Sequence, residues 1–138
     1  MLARNHPSDG ALVVVVALLV VAAGCGGGGA LSAKALSQES KSLKSLAAEG
    51  GLLARDAVAG RTTRIFMRVH SEALSKAASQ SAKSLQTATT EPALEPKLKR
   101  LASLASKVSS ELKLLGHASK NEQRRLAGEL EAAAKELK

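Results

Sequence analysis

Apolar positions are distributed along this chain in two different ways. Near the start, Ala11 to Ala23 ("ALVVVVALLVVAA") form a block of thirteen residues without a polar break. From Leu31 onward, apolar residues recur at helical spacing among Ser, Lys and Glu. Leu36, Leu43, Leu46 and Leu53 are spaced seven, three and seven, which puts them on one helical stripe. Gly50-Gly51 interrupts that stripe and predicts a kink or break, and Gly60 predicts its stop in a left-handed cap. A second helix is expected from a cap at Thr62 or Thr63 to about Ala88, burying a face of Ile65, Met67, Val69, Leu74, Ala78, Ser81 and Leu85.

The stretch "TATTEPALEP", Thr87 to Pro96, ends that helix, because a proline disfavours helical geometry in the residue before it. Pro96 itself fits the first turn of the next helix, where its missing N–H costs nothing. Leu94, Leu98, Leu101, Ala105, Val108, Leu112 and Leu115 then alternate steps of four and three, the spacing of a single buried seam. Gly116 closes this third helix. Ser119 and Glu122 read as a capping box opening a fourth, carried by Leu126, Leu130, Ala133 and Leu137. The expectation is an all-α domain over residues 31–138: an antiparallel three- or four-helix bundle, or stacked helical hairpins. With only Phe66 for an aromatic and many Ala and Ser on the inner faces, the core buries little area. At roughly 25 cal/mol per Å2 of apolar surface, that implies modest stability.

The first apolar block has a different meaning. As a helix, thirteen residues reach about 20 Å, short of the roughly 30 Å hydrocarbon core of a bilayer. A short apolar run preceded by Arg4 and followed by the small residues Ala22, Ala23 and Gly24 fits a signal peptide over residues 1–24. Cys25 is the chain's one cysteine, so no intramolecular disulfide is available to an exported domain. Gly26 to Gly29 then make residues 25–30 a pliable tether.

Ala22-Ala23-Gly24-Cys25 resembles the lipobox of bacterial lipoproteins, in which small residues lead into an obligatory cysteine. The family often has Leu three residues before the cysteine, where this chain has Ala22. The resemblance implies a diacylglyceryl group on the Cys25 sulfur, cleavage between Gly24 and Cys25, and acylation of the new amino terminus. It also implies a place on the bacterial cell envelope, facing away from the cytoplasm. Two or more acyl chains would hold the protein firmly, at about 0.8 kcal/mol per buried methylene. The Ala/Leu/Arg-rich remainder resembles the short helical lipoproteins of high-GC bacteria.

Charge adds a candidate surface. Only Arg4 and Asp9 precede Cys25, leaving nineteen Lys and Arg against eleven Asp and Glu, a net +8. Arg61, Arg64 and Arg68 are spaced along one face, with Lys76 and Lys83 roughly continuing it. Lys97, Lys99 and Arg100 open the third helix, and Arg124 and Arg125 stand in the fourth. Such a surface suits anionic lipid headgroups, anionic wall polymers or an envelope protein. Nucleic acid is not expected as a partner, since export separates the two and no Tyr or Trp is present to stack on bases.

Catalytic patterns are missing from the sequence. There is no Glu-x-x-His pair for a di-iron bundle, no haem-attachment motif, no nucleophile elbow and no phosphate loop. Neither a metal nor a non-covalent cofactor is expected, and the domain reads as a noncatalytic binding or structural module. Another reading is a small-ligand slot between the helices lined by Phe66, Met67 and His70, and a third is regulation of an envelope enzyme or transporter. His117 is expected at a helix end, and Lys138 as an ordinary charged residue on a Glu/Lys-rich helix.

Overall fold

The computed structural model describes residues 30–137. The expected signal peptide, the lipobox with Gly24 and Cys25, the glycines that follow and Lys138 lie outside the described residues. Four α-helices account for most of what is described: α1 (Ala33–Val58), α2 (Arg64–Thr87), α3 (Glu95–Leu115) and α4 (Lys120–Glu136), with a 3-10 turn at Pro92–Leu94 before α3.

Local chemistry fixes most of the helix ends. Ser32 and Thr63 each accept a hydrogen bond from the backbone N–H three residues on, satisfying a donor the first turn cannot pair. Thr63, not Thr62, is therefore the cap of α2. Ser119 and Glu122 form the reciprocal capping box expected for α4, and Pro96 sits in the first turn of α3. Gly60 has φ +72°, and the chain around it closes a Schellman motif. In that motif Arg61 N–H donates to Asp56 O at 2.8 Å and Gly60 N–H to Ala57 O at 3.1 Å.

The helices run alternately up and down. The closest pairings are α2 with α3 and α1 with α4, while α1 also packs on α2 and meets α3 across the bundle. Of the alternatives open from sequence, a four-helix bundle is the one formed. Its core is Leu36, Leu43 and Leu53 of α1, Met67, Leu74 and Leu85 of α2, the α3 seam from Leu98 to Leu115, Leu126 and Leu130 of α4, and Leu137 just past its end. Alanines fill the spaces between them. Among the described residues the core runs from Leu36 to Leu137 and draws on all four helices.

Two expectations change. Helix α1 runs unbroken through Gly50-Gly51. The glycines serve packing instead: a Cβ on Gly50 would stand 2.3 Å from Leu112 Cδ2 and 3.2 Å from Leu130 Cδ1, and one on Gly51 would stand 3.2 Å from Glu131 Cγ. Their low helix propensity is offset by the close approach of α3 and α4. On α2 the buried face is Met67, Ser71, Leu74, Ser75, Ala78, Ala82 and Leu85. Ile65 and Val69 are 70% and 60% exposed, because two residues from Met67 is about 200° around a helix.

Leu31 precedes α1 and is held against the α2–α3 turn. Its N–H donates to Thr89 O at 2.7 Å, and Thr90 Oγ1 donates to Leu31 O at 2.7 Å. The described chain thus begins at one end of the bundle, beside the start of α3 and the close of α4. The α1–α2 and α3–α4 turns form the opposite end.

Candidate functional site

The basic residues picked out in the sequence divide between the two ends. Lys97, Lys99 and Arg100 lie at the end where Leu31 enters, while Arg61, Arg64, Arg68, Arg124 and Arg125 lie at the far end. Arg61 is not on the α2 face with Arg64 and Arg68. It belongs to the preceding turn and folds back on Asp56 at 2.6 Å, a contact that reinforces the Schellman motif. Several others are also engaged. Lys99 pairs with Glu95 at 2.7 Å, Arg100 with Glu136 at 3.9 Å, and Arg125 holds both oxygens of Glu129. Arg124 donates to Asn121. Lys99 holds the Glu95 carboxyl below its ordinary range by hydrogen bond and charge.

Phe66, Met67 and His70 do not converge on a slot. Met67 points into the core, where Gln123 Nε2 donates to its sulfur at 3.4 Å. Phe66 is 55% exposed and stacks on His70, with ring centroids 5.3 Å apart. His70 Nε2 meets Glu49 of α1 at 2.7 Å. These contacts make a surface clasp between α1 and α2. His117 lies exposed in the α3–α4 turn.

A different cluster emerges where α2 and α3 pair. Ser75 Oγ donates to Ser109 O at 2.9 Å, and Ser109 Oγ donates to Ser75 O at 3.1 Å. This reciprocal pair, with Ser71 beside it, gives the interface a floor of small side chains. Gly116 continues it, since a Cβ there would stand 2.8 Å from Ser71 Oγ. Above the floor lies an open groove of about 790 Å3, with Arg68, Lys76 and Lys83 of α2 and Lys113 of α3 along its walls. Glu72 is the one carboxylate lining it. A second groove of about 740 Å3 at the far end shares Arg68, Gly116 and His117 with the first and adds Arg64 and Lys120. Its own carboxylate, Glu122, is committed to the Ser119 cap, which lowers its pKa.

Sequence reading recognised Arg64, Arg68, Lys76 and Lys83 as basic positions but passed over Lys113 and Lys120. Nothing in the sequence says that α3 lies against α2, and only that pairing places Lys113 opposite Arg68. Among the described residues Arg64, Arg68, Lys76, Lys83, Lys113 and Lys120 take part in no ion pair. The arrangement can attract and hold negative charge.

Among the described residues no group of three or more His, Cys, Asp or Glu is placed to hold a metal ion, and no helix is long and apolar enough to cross a membrane. Compared with known protein families, curated proteins and solved structures, the chain matches none.

Proposed function

We propose that this protein is a bacterial envelope lipoprotein, anchored through acyl chains on Cys25, whose helical bundle is a noncatalytic binding module. The observation that carries the reading is Ala22-Ala23-Gly24-Cys25, set directly between a thirteen-residue apolar run and four glycines. The way the chain enters the bundle supports it. Gly26 to Ala30 span at most about 18 Å when extended. The clamp of Leu31 on the α2–α3 turn would then keep one end of the bundle near the membrane. Lys97 and Arg100, at that end, would face the headgroups, while the α2–α3 groove would look sideways and outward.

The test is metabolic labelling with an alkyne fatty acid in a bacterial host, followed by intact mass measurement. The expected product begins at Cys25 and carries diacylglyceryl, and Cys25→Ser abolishes label and leaves the uncut precursor. Wild-type protein that keeps Met1 to Gly24 and takes no label would end the proposal.

A further inference from the structure

We infer that the groove between α2 and α3 holds a linear, flexible phosphodiester polymer of the envelope. The inference rests on the envelope location proposed above for the source of the ligand, but not on lipidation for the binding itself. Three features of the groove argue for this occupant.

Charge comes first. Arg64, Arg68, Lys76, Lys83, Lys113 and Lys120 line the two joined grooves with no ion pair among the described residues, against Glu72 and the already committed Glu122. Like charges gathered along one groove repel one another, and a bound polyanion relieves that repulsion.

Shape comes second. From Arg64 to Lys83 the wall of α2 extends about 28 Å at the helical rise, far longer than a single metabolite. The groove is recessed between two helices and open along its length. A slim chain can follow such a path, whereas a flat headgroup plane would touch only the rims.

Chemistry comes third. The lining holds ammonium and guanidinium groups, hydroxyls, the Gln80 amide and the His117 imidazole, but no Phe, Tyr or Trp. Lysine binds phosphate as a point charge without demanding a fixed fork, which suits a repeating and mobile ligand. Ser71, Ser75, Ser109 and Ser110 spend their protons on backbone carbonyls, while Ser79 makes no hydrogen bond among the described residues and can donate to a phosphoryl oxygen. Without Phe, Tyr or Trp the groove lacks a row of stacking platforms for successive bases, which disfavours nucleic acid.

The probe is poly(glycerol phosphate), titrated calorimetrically into residues 26–138, the unit that carries all four helices. Cooperative thermal unfolding of each variant by circular dichroism serves as the folding control. Lys76→Glu with Lys83→Glu is expected to weaken binding at least tenfold. Lys34→Glu with Lys97→Glu makes the same charge change outside the groove lining, at the end where Leu31 enters, and is expected to alter binding less than twofold. Lys76→Gln with Lys83→Gln gives a milder version of the groove variant should the reversal unfold the domain. In the wild type, backbone amide shifts should concentrate at Arg68–Lys83 and Ser109–His117. Equal weakening by both charge-reversed pairs, shifts centred on Lys97–Arg100, or binding to phosphatidylglycerol vesicles without binding to the polymer would each overturn the inference. Since this material carries no lipid, failure here leaves the labelling result untouched, and the reverse holds too.

Discussion

At the scale of single residues, the glycines show how one residue type serves different ends. Gly50 is a packing residue. Its absent side chain is the space into which Leu112 and Leu130 project, and both leucines are fully buried. Gly60 is a conformational residue, the one described position with positive φ. Gly128 is neither. It lies exposed within α4, and a Cβ there would meet nothing within 4 Å. Gly128→Ala should therefore stabilise the bundle by about 0.5–1 kcal/mol, the backbone entropy glycine gives up in a helix. Gly50→Val should destabilise it by about 1–3 kcal/mol through overpacking, despite the same relief of glycine entropy. Urea unfolding midpoints of the two variants against wild type check both signs at once. A gain at Gly50→Val would mean that α1 and α3 can move apart at little cost.

The elements show what the sequence does and does not encode. Helices α3 and α4 are legible nearly residue by residue, because their apolar seams keep phase and their caps are local: Pro96 in one, Ser119 with Glu122 in the other. Helix α2 is harder. Ile65 and Val69 look like core by composition, yet they stand out of phase with Met67, Leu74 and Leu85 and end up exposed. Ser71 and Ser75 look like surface and are buried. Residue type and phase disagree there, and phase wins. A buried serine needs a carbonyl to receive its proton. For Ser75 that carbonyl is on Ser109, thirty-four positions away, so no local pattern can announce it. The candidate groove is hidden for the same reason, since it exists only once α3 lies on α2. Replacing Ser75 or Ser109 by Ala removes one interhelical bond, and each change is expected to cost about 0.5–1.5 kcal/mol. The pair should also couple by about 0.5 kcal/mol or more in a double-mutant cycle, being in direct contact. Two neutral and additive substitutions would show instead that the alanine contacts alone set the α2–α3 spacing.

For the whole molecule, one buried charge gives stability a pH dependence of its own. Glu111 is only 6% exposed, on the α3 side that faces α4, and its Oε2 has no hydrogen-bond partner among the described residues. Lys107 reaches its other oxygen at 3.8 Å. Burial raises the carboxyl's pKa, and neighbouring Glu129 adds to the effect, while Lys107 and Arg125 oppose it. A carboxyl whose pKa is higher in the folded state contributes stability that is fully present below its unfolded pKa. That contribution is lost as pH rises through the folded value. Glu95 and Glu122 act in the opposite sense. Their pKa values are lowered by Lys99 and by Ser119, so their contribution is present at neutral pH and lost as pH falls through the folded values. Both of those side chains stand in solvent, where screening keeps such effects small. Between the ordinary carboxylate range and neutrality, the contribution of Glu111 makes the bundle less stable as the solution becomes less acidic. Glu111→Gln keeps the shape and removes the charge. It should stabilise the protein by about 1 kcal/mol at neutral pH, the scale of one unsatisfied buried polar atom. The advantage should shrink to nothing on acidification below the ordinary carboxylate range, where wild-type Glu111 is itself neutral. Urea midpoints of both proteins across that range decide the matter. An advantage that stays constant with pH would assign the effect to packing around position 111 and not to its ionisation.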